Sequence, residues 1–310
     1  LVVVDADANR ADAVATSLGP PARVAADLGG AGIEPGDVVV LCLPYGHRAL
    51  AQEAIAGGAH VVSVADAVGE VRGLLDLDAH AREGGRNIVV GAGFSPGLSC
   101  VLAAFGSRGF ERVEEIHVAK VGTGGPACAR QHHRALAGEA HDWRDRDWVR
   151  RRGGSGRELC WFPDPVRGVD CYRAALPEPL LLLPAFPDAN RITARMGASR
   201  RDRLTAHLPM FRRPHPEGQL GAVRVEIRGA HGEALDDRVL GAVDRPAVAA
   251  GTVAAMTARW VLDGRLARLG ASGLAGLVEP GPFLAALAER GLKVAVFEGS
   301  QHGEGAAAPV

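Results

Sequence analysis

The feature that most constrains this chain is the alternation of short apolar runs with helical segments over its first 110 residues. The runs are apolar throughout, as strands of a parallel sheet buried on both faces are. Their spacing is typical of βαβ units and predicts a doubly wound parallel sheet. The predicted strands are residues 1–4, 23–26, 37–43, 60–64 and 87–90, and the predicted helices are residues 9–18, 49–56 and 76–83.

The rhythm changes after about residue 109, where strand-like runs follow one another with less helix between them. This pattern predicts a second domain of mixed α/β type, with strands at residues 113–121, 158–162, 192–196, 223–228 and 239–243. Residues 141–156, rich in Arg, Asp, Trp and Gly, are interpreted as an exposed excursion, either a lid or a plain surface loop. From residue 246 the sequence predicts helices at 247–262 and 283–290, a last strand or extended edge at 292–297, and a frayed end at 299–310.

Composition excludes several classes of protein. A chain of 310 residues, 47% hydrophobic and 23% charged, is long enough for two globular domains. Because the chain has 35 basic and 36 acidic residues, no polycationic surface for nucleic acid is expected. The longest apolar stretches are far too short for a membrane span. Five cysteines without a close pair, and no secretory segment, predict reduced thiols in a cytoplasmic protein.

Asp5 ends the first predicted strand, where a dinucleotide fold places the acid that holds a ribose. The Gly-x-Gly-x-x-Gly loop of such folds occurs nowhere in the chain and would lie before residue 1. Two explanations stay open: the chain lacks about 25 residues at its start, which we favour, or the sheet never bound a dinucleotide. Asp5 can also be a turn or helix-N-terminal carboxylate.

Residues 91–97 offer a rival for the missing loop, because they follow a strand and precede a helix with the spacing Gly-x-Gly-x-x-x-Gly. Against this interpretation, the next strand ends at Gly122 with no acid at its tip. Pro96 also favours a turn over donation of N–H groups to phosphate.

Three motifs carry a resemblance to a known family. They are Leu-Cys-Leu-Pro-Tyr at 41–45, Gly-Gly-Ala-His-Val-Val-Ser at 57–63 and Gly-Phe-Ser-Pro-Gly at 93–97. With the C-terminal stretch 283–299, they resemble the saccharopine dehydrogenase-like oxidoreductases. The match covers most of residues 1–110 and the last 60 residues. It is specific to the superfamily and does not name a substrate.

The resemblance implies a truncated Rossmann-type nucleotide domain at residues 1–110. A substrate or dimerisation domain would follow at 111–245, and C-terminal helices at 246–310 would return to the nucleotide domain. It also implies binding roles: Asp5 for the ribose, Asp27 and Leu28 for the adenine side, and Leu43 and Pro44 beside the nicotinamide ribose. The chain departs from the family pattern in lacking the glycine loop. Because an acidic Asp5 would repel a 2′-phosphate, we predict NAD as the cofactor, with NADP possible.

The segment 120–134 combines a strand end, a glycine turn and a helix with Pro126 at its first position. N–H groups at such a turn can cradle a carboxylate or phosphate, although a simple strand-to-helix turn has the same sequence. The substrate-binding candidates are Gly93, Ser95, Thr123, Gly124, Gly125 and Arg130.

Lys120, His132 and His133 are the catalytic candidates, because a buried amine or an imidazole can move a proton while hydride moves at a nicotinamide. Each has a plainer interpretation. Lys120 shares a strand face with Ile116 and Val118 but can instead be a snorkelling surface lysine. The two histidines lie on one helix stripe with Ala129 and can be packed, hydrogen-bonded core residues.

No metal site is expected, because Cys128 and His132 offer two donors on one helical turn and no HExxH or paired CxxC occurs. Nucleophilic catalysis is not indicated either, since GxSxG is absent. The sequence therefore predicts a nicotinamide-dependent oxidoreductase acting on a small amino- or keto-acid-like substrate, with a homodimer possible. The alternative is a non-catalytic protein that keeps the scaffold to bind or sense a ligand.

Overall fold

The computed structural model describes residues 1–210, 213–232 and 234–297. Its first part alternates strands and helices, as the apolar runs predicted. Asp7 and Asp27 begin two of these helices by accepting hydrogen bonds from their first free N–H groups. The elements are β1 (Val2–Val4), α1 (Ala8–Leu18), β2 (Arg23–Ala25), α2 (Leu28–Ala31), β3 (Val38–Leu41), α3 (His47–Ala56), β4 (His60–Ser63), α4 (Val68–Leu75), α5 (Asp78–Glu83), β5 (Asn87–Val90) and α6 (Leu98–Gly106).

The second part contains longer strands and fewer helices. The predicted frayed end lies outside the described residues. The elements are β6 (Arg112–Val121), α7 (Pro126–Ala137), β7 (Glu139–Arg144), β8 (Asp147–Arg152), β9 (Glu158–Phe162), β10 (Arg167–Arg173), α8 (Glu178–Leu182), β11 (Arg191–Gly197), α9 (Arg200–Thr205), β12 (Gly221–His231), β13 (Ala234–Asp244), α10 (Pro246–Leu262), β14 (Gly270–Ser272), α11 (Pro280–Ala288) and β15 (Val294–Phe297).

The first sheet is parallel and has the strand order β14-β5-β4-β3. Ile88, Val89 and Val90 of β5 are fully buried, which explains why this strand is apolar at every position. β1 and β2 form a separate parallel pair. Within the described residues β1 pairs with β2 alone, so its expected place as an inner strand is not seen. The predicted α/β class with a Rossmann-like parallel sheet is confirmed.

The second sheet has nine strands in the order β15-β13-β12-β6-β11-β10-β9, with β7 and β8 attached at β11. β6 and β11 run parallel, whereas the other pairs are antiparallel. The sheet is therefore mixed, as predicted. Helix α6 packs on β12 and β13 of the second sheet, and its buried Leu98 and Leu102 join one continuous hydrophobic core with Val61 of the first sheet and Ile116 and Ile227 of the second.

The expectation of a lid or surface loop at residues 141–156 is wrong, although β8 is exposed as expected. Strands β7 and β8 form a hairpin, and Ile192 of β11 pairs with Trp143 of β7. Trp143 packs edge-to-face on Trp148, with 5.3 Å between ring centroids, and its indole N–H donates to the carbonyl oxygen of Ala189. The charged residues that suggested a loop lie on the outer face of these strands, while Ala140 and Asp142 are buried.

The C-terminal part contributes to both sheets. β14 pairs with β5 in the first sheet, and β15 pairs with β13 in the second. Helix α10 packs on β3 and β4, and its Trp260 meets Phe283 of α11 edge-to-face at 5.0 Å. The boundaries proposed at residues 110 and 245 stay predictions. No helix among the described residues has the length and apolar character required to cross a lipid bilayer.

Candidate active site

A cleft of about 380 Å³ opens at the carboxyl ends of β3, β4 and β5. This is where open parallel sheets bind ligands, because the loops that leave the strands diverge there. The opposite wall comes from the end of β6, the first turn of α7 and the first turn of α10. A second cavity of about 550 Å³ lies along α7 and shares Gly122 and His132 with the cleft.

Lys120 lies in the cleft wall near the end of β6. It is only 3% exposed, so the interpretation as a snorkelling surface lysine is wrong. Its Nζ donates a hydrogen bond of 2.9 Å to the main-chain carbonyl oxygen of Ser95, in the loop after β5. The hydrogen bond joins the second sheet to the first and fixes the ammonium group at the cleft.

A buried carboxylate lies behind the same loop. Glu178, the first residue of α8, is fully buried, and its Oε1 accepts a hydrogen bond from Ser95 Oγ. Its Oε2 has no hydrogen-bond partner within the described part of the chain. Burying an ionised group is costly unless an opposite charge or hydrogen bonds compensate. The loop that carries Ser95 therefore lies between a buried acid and the buried Lys120.

Asp66, Cys128 and His132 meet at the other side of the cleft. His132 Nε2 lies 3.6 Å from Cys128 Sγ and 3.8 Å from Asp66 Oδ2. Burial raises the pKa of the Asp66 carboxyl, against the opposing effect of Lys120. Burial also raises the pKa of the Cys128 thiol. The pKa of His132 is held well below its usual value, first by burial and then by Lys120, so its imidazole is neutral at pH 7.

His47 supports the end of β3. Its Nε2 lies 2.8 Å from the carbonyl oxygen of Leu43, and its Nδ1 lies 2.9 Å from Ser63 Oγ, so one ring nitrogen donates and the other accepts. The side chain is fully buried, and burial lowers its pKa. A neutral His47 thus holds Leu43 and Pro44 at the cleft.

The comparison with solved structures decides the fold. Apo saccharopine dehydrogenase (L-Glu forming) from Saccharomyces cerevisiae superposes with a TM-score of 0.69 at 15% sequence identity, over 96% of this chain and 94% of that chain. The chain has the saccharopine dehydrogenase fold. The resemblance inferred from the sequence motifs is thereby confirmed at the level of structure.

Other solved structures are similar at lower scores. GenD2 from gentamicin A biosynthesis, in complex with NAD, gives a TM-score of 0.42 at 17% identity, covering 96% of this chain and 88% of that chain. C. glutamicum DAP dehydrogenase in complex with DAP gives 0.44 at 13% identity, covering 93% and 98%. No family model matches the chain, and no curated protein matches its sequence.

Within the saccharopine dehydrogenase fold, many of the predicted site residues come together. The predicted residues that line the cleft are Leu43, Pro44, Gly93, Ser95, Lys120, Gly124, Gly125 and His132. They belong to three separate strand ends and to the first turns of α7, so the fold itself assembles them.

Other predicted residues lie elsewhere. His133 Nε2 donates a hydrogen bond to the carbonyl oxygen of Leu208, and His133 lines the second cavity, as does Thr123. Arg130 is on the exposed face of α7 and lines neither cavity. The predicted substrate contact of Arg130 is therefore not supported by its position.

The predicted adenosine contacts have local partners. Asp5 follows β1 and accepts hydrogen bonds from the Asp7 N–H and from Arg10 Nη1. Asp27 caps α2 through the Gly30 N–H, and Leu28 begins that helix. Both aspartates thus have the helix-N-terminal or turn role that any carboxylate at these positions can have.

The loop 91–97 is unsuited to phosphate because it folds on itself. The Gly93 N–H donates to the Pro96 carbonyl oxygen and the Leu98 N–H donates to the Gly93 carbonyl oxygen. Gly97 has φ 130°, and a Cβ there would lie 2.1 Å from the Gly93 oxygen. The glycines therefore permit a tight, buried turn in which the Gly93 and Leu98 N–H groups are bound within the turn itself.

Two residues of the site were missed by the sequence analysis. Asp66 comes three residues after β4. Because ligands bind at the carboxyl ends of parallel strands, this position could have identified Asp66 as a candidate site residue from the sequence. Glu178 gave no signal, because it meets Ser95 only through packing of segments 83 residues apart.

Proposed function

We propose that this protein is a nicotinamide-dinucleotide-dependent oxidoreductase that acts on a small amino- or keto-acid-like substrate. The observation that carries the proposal is the buried Lys120, fixed at the carboxyl ends of β3–β5 in a chain with the saccharopine dehydrogenase fold. A buried amine at such a cleft is positioned for proton transfer beside a hydride-transfer centre.

The cofactor's two ends have candidate partners in this chain. Leu43 and Pro44 at the end of β3 would bind the nicotinamide riboside, and Asp5 at the end of β1 would bind the adenosine ribose. The carboxylate of Asp5 favours NAD, while its neighbour Arg10 gives a 2′-phosphate of NADP a cationic partner. No Gly-x-Gly-x-x-Gly loop for the pyrophosphate occurs in the 310 residues.

When bound, the nicotinamide supplies or accepts the hydride. Lys120 is the proton carrier: its ammonium gives a proton to the substrate oxygen or nitrogen as the adjacent carbon gains hydride, and its amine takes that proton back in the reverse direction. The hydrogen bond to Ser95 orients Nζ and removes the entropy cost of ordering a long side chain at the moment of reaction.

The second cavity supports the choice of an acidic substrate. Arg201 and Arg213 line it, together with His133, His215 and one carboxylate, that of Asp202, and it shares Gly122 and His132 with the cleft. A substrate carboxylate bound there by a guanidinium would leave its α-carbon directed towards the cleft.

The test uses the full gene product. Titration with NAD, NADP and their reduced forms, followed by absorbance assays with 2-oxo acids and amino acids, is expected to show dinucleotide binding and dinucleotide-dependent turnover. Binding without turnover of any such substrate would instead support a ligand-binding or sensor protein, and no dinucleotide binding would refute the proposal.

A further inference from the structure

The cleft brings together donor atoms from opposite sides of the fold. Asp66 arrives from the loop after β4 of the first sheet, and Cys128 and His132 lie one turn apart on α7. Their ligand atoms all lie within 4.8 Å of one another. We infer that Asp66, Cys128 and His132 form a binding site for a divalent transition metal ion, with Zn²⁺ the best match. The inference is independent of the proposed oxidoreductase function.

The distance between the two donors of α7 fits a tetrahedral ion, and the carboxylate of Asp66 lies within 4.8 Å of both. Bonds of about 2.3 Å to sulfur and about 2.0–2.1 Å to nitrogen place these two ligands about 3.6 Å apart. The observed distance from Cys128 Sγ to His132 Nε2 is 3.6 Å. The distance of 3.8 Å from His132 Nε2 to Asp66 Oδ2 exceeds the tetrahedral value of about 3.3 Å, so the carboxylate must move closer to the imidazole when the ion binds.

The donor types select the metal. One thiolate, one imidazole and one carboxylate suit Zn²⁺, whereas Mg²⁺ and Ca²⁺ prefer oxygen ligands throughout. The negative charges of the thiolate and carboxylate balance the two positive charges of the ion, so the loaded cluster is neutral in a partly buried position. Cys128 to His132 is an i, i+4 pair, which places both donors on one helix face.

The site is open on one side. All three donors line the cleft, so the fourth ligand position faces the space that a substrate would occupy. Three protein ligands with an open fourth position are the arrangement of metal sites that bind a water molecule or a substrate oxygen, whereas structural sites are closed by four. The ion would therefore hold a carboxylate or carbonyl oxygen of a bound ligand.

The surrounding charges are compatible with a cation. Lys120 repels the ion, and burial raises the pKa of Asp66 and Cys128, with Lys120 opposing that rise, so the ion must displace the protons of these two donors; His132, whose pKa burial and Lys120 lower, already offers a neutral imidazole. Within the residues that the structure describes, no other group of three His, Cys, Asp or Glu side chains converges in this way. The sequence predicted no metal because it revealed only the two donors of α7.

The test is a titration of chelator-treated full gene product with Co²⁺ alone. We expect one Co²⁺ per chain, with the charge-transfer absorption of a Co²⁺–thiolate bond, and displacement of that absorption by Zn²⁺. Cys128→Ser is expected to abolish the absorption. Loss of a supporting hydrogen bond weakens metal affinity by about 10–100-fold, so His132→Gln and Asp66→Asn, which remove ligands, are expected to weaken it by more.

Two matched controls separate the site from adventitious binding. Cys42→Ser removes another thiol of the same cleft, and His133→Gln removes the next histidine of α7; both are expected to bind Co²⁺ as the wild type does. Wild-type protein that binds no stoichiometric Co²⁺, or lacks the thiolate absorption, overturns the inference, and this measurement decides it even where a variant fails to fold. Dinucleotide binding is measured separately, so either proposal can fail alone.

Discussion

Lys120 of β6 and Ser95 of the loop after β5 are joined across the cleft by a hydrogen bond of 2.9 Å from Nζ to a main-chain carbonyl oxygen. One end of this bond belongs to the second sheet and the other to the first. The position of the ammonium therefore depends on how the two sheets pack, and the loop that it holds is also tied to Glu178 through Ser95 Oγ.

Lys120→Met is expected to reduce kcat by about 10²–10⁴-fold, the range typical of losing a general acid or base. Dinucleotide affinity should change little, because Lys120 is not assigned to the cofactor. Steady-state kinetics and a binding titration separate the two effects. Lys293→Met is the matched control, since it replaces the other lysine of the chain, which is exposed. Equal kcat values in the two variants would refute the role of Lys120.

Asp5→Ala is expected to shift cofactor preference towards NADP. Arg10 pairs with Asp5 at 3.3 Å, and removal of the carboxylate frees the guanidinium for a 2′-phosphate while it removes the partner of the ribose hydroxyls. The ratio of NADP to NAD affinity, from parallel titrations of the full gene product, should rise at least tenfold, about 1.4 kcal/mol. Asp12→Ala, an exposed substitution on the same helix, should leave the ratio unchanged.

The stability of the protein is expected to fall as the pH drops from 7 to 5, in part through His47. Burial lowers the pKa of His47, so the unfolded chain takes up a proton that the folded chain resists. The contribution of the neutral His47 to the free energy of unfolding is therefore intact above the unfolded pKa of about 6.5, and it is lost as the pH falls below that value.

Urea unfolding at several pH values measures this effect. His47→Gln should flatten the pH dependence, whatever it does to stability at pH 7. His80→Gln, which changes an exposed histidine of α5, should keep the slope of the wild type. A slope that His47→Gln leaves unaltered would show that His47 is not the titrating group.

Gly97→Ala is expected to destabilise the protein by about 2 kcal/mol or more. The new Cβ would lie 2.1 Å from the Gly93 oxygen at a φ of 130°, so the turn that presents Ser95 must open. Gly69→Ala in α4 meets nothing within 4 Å and should be neutral or stabilising by up to about 1 kcal/mol. Thermal unfolding of the two variants checks the contrast; a Gly97→Ala variant as stable as the wild type would contradict it.

The sequence predicted the first sheet well because buried parallel strands are apolar at every position, as Ile88 to Val90 are. It failed at the hairpin β7–β8, where Arg and Asp residues on the outer face hid the buried alternation of Ala140 and Asp142. Local composition reports exposure of one face, and it cannot report that the other face is covered by a distant strand.

The candidate site also contains residues that the sequence revealed and residues that it did not. Lys120 and His132 were found because a glycine turn and a helix face bring them together within one short segment. Asp66 reaches the cleft from the loop after β4, and Glu178 meets the Ser95 loop from a distant segment, a contact of which a single sequence carries no record. The family resemblance alone gave Asp27 its adenine-side role; its carboxylate caps α2, and that role stays a prediction.

Strands β14 and β15, the last two that the structure describes, lie at the edges of different sheets. Gly270 pairs with Asn87, and Val294 pairs with Ala242, so each sheet receives an edge strand from residues after 269. Contacts this distant in sequence form slowly, because a long loop must close before they are gained. Without β14 and β15, each sheet would have an unpaired strand edge that could pair with another chain.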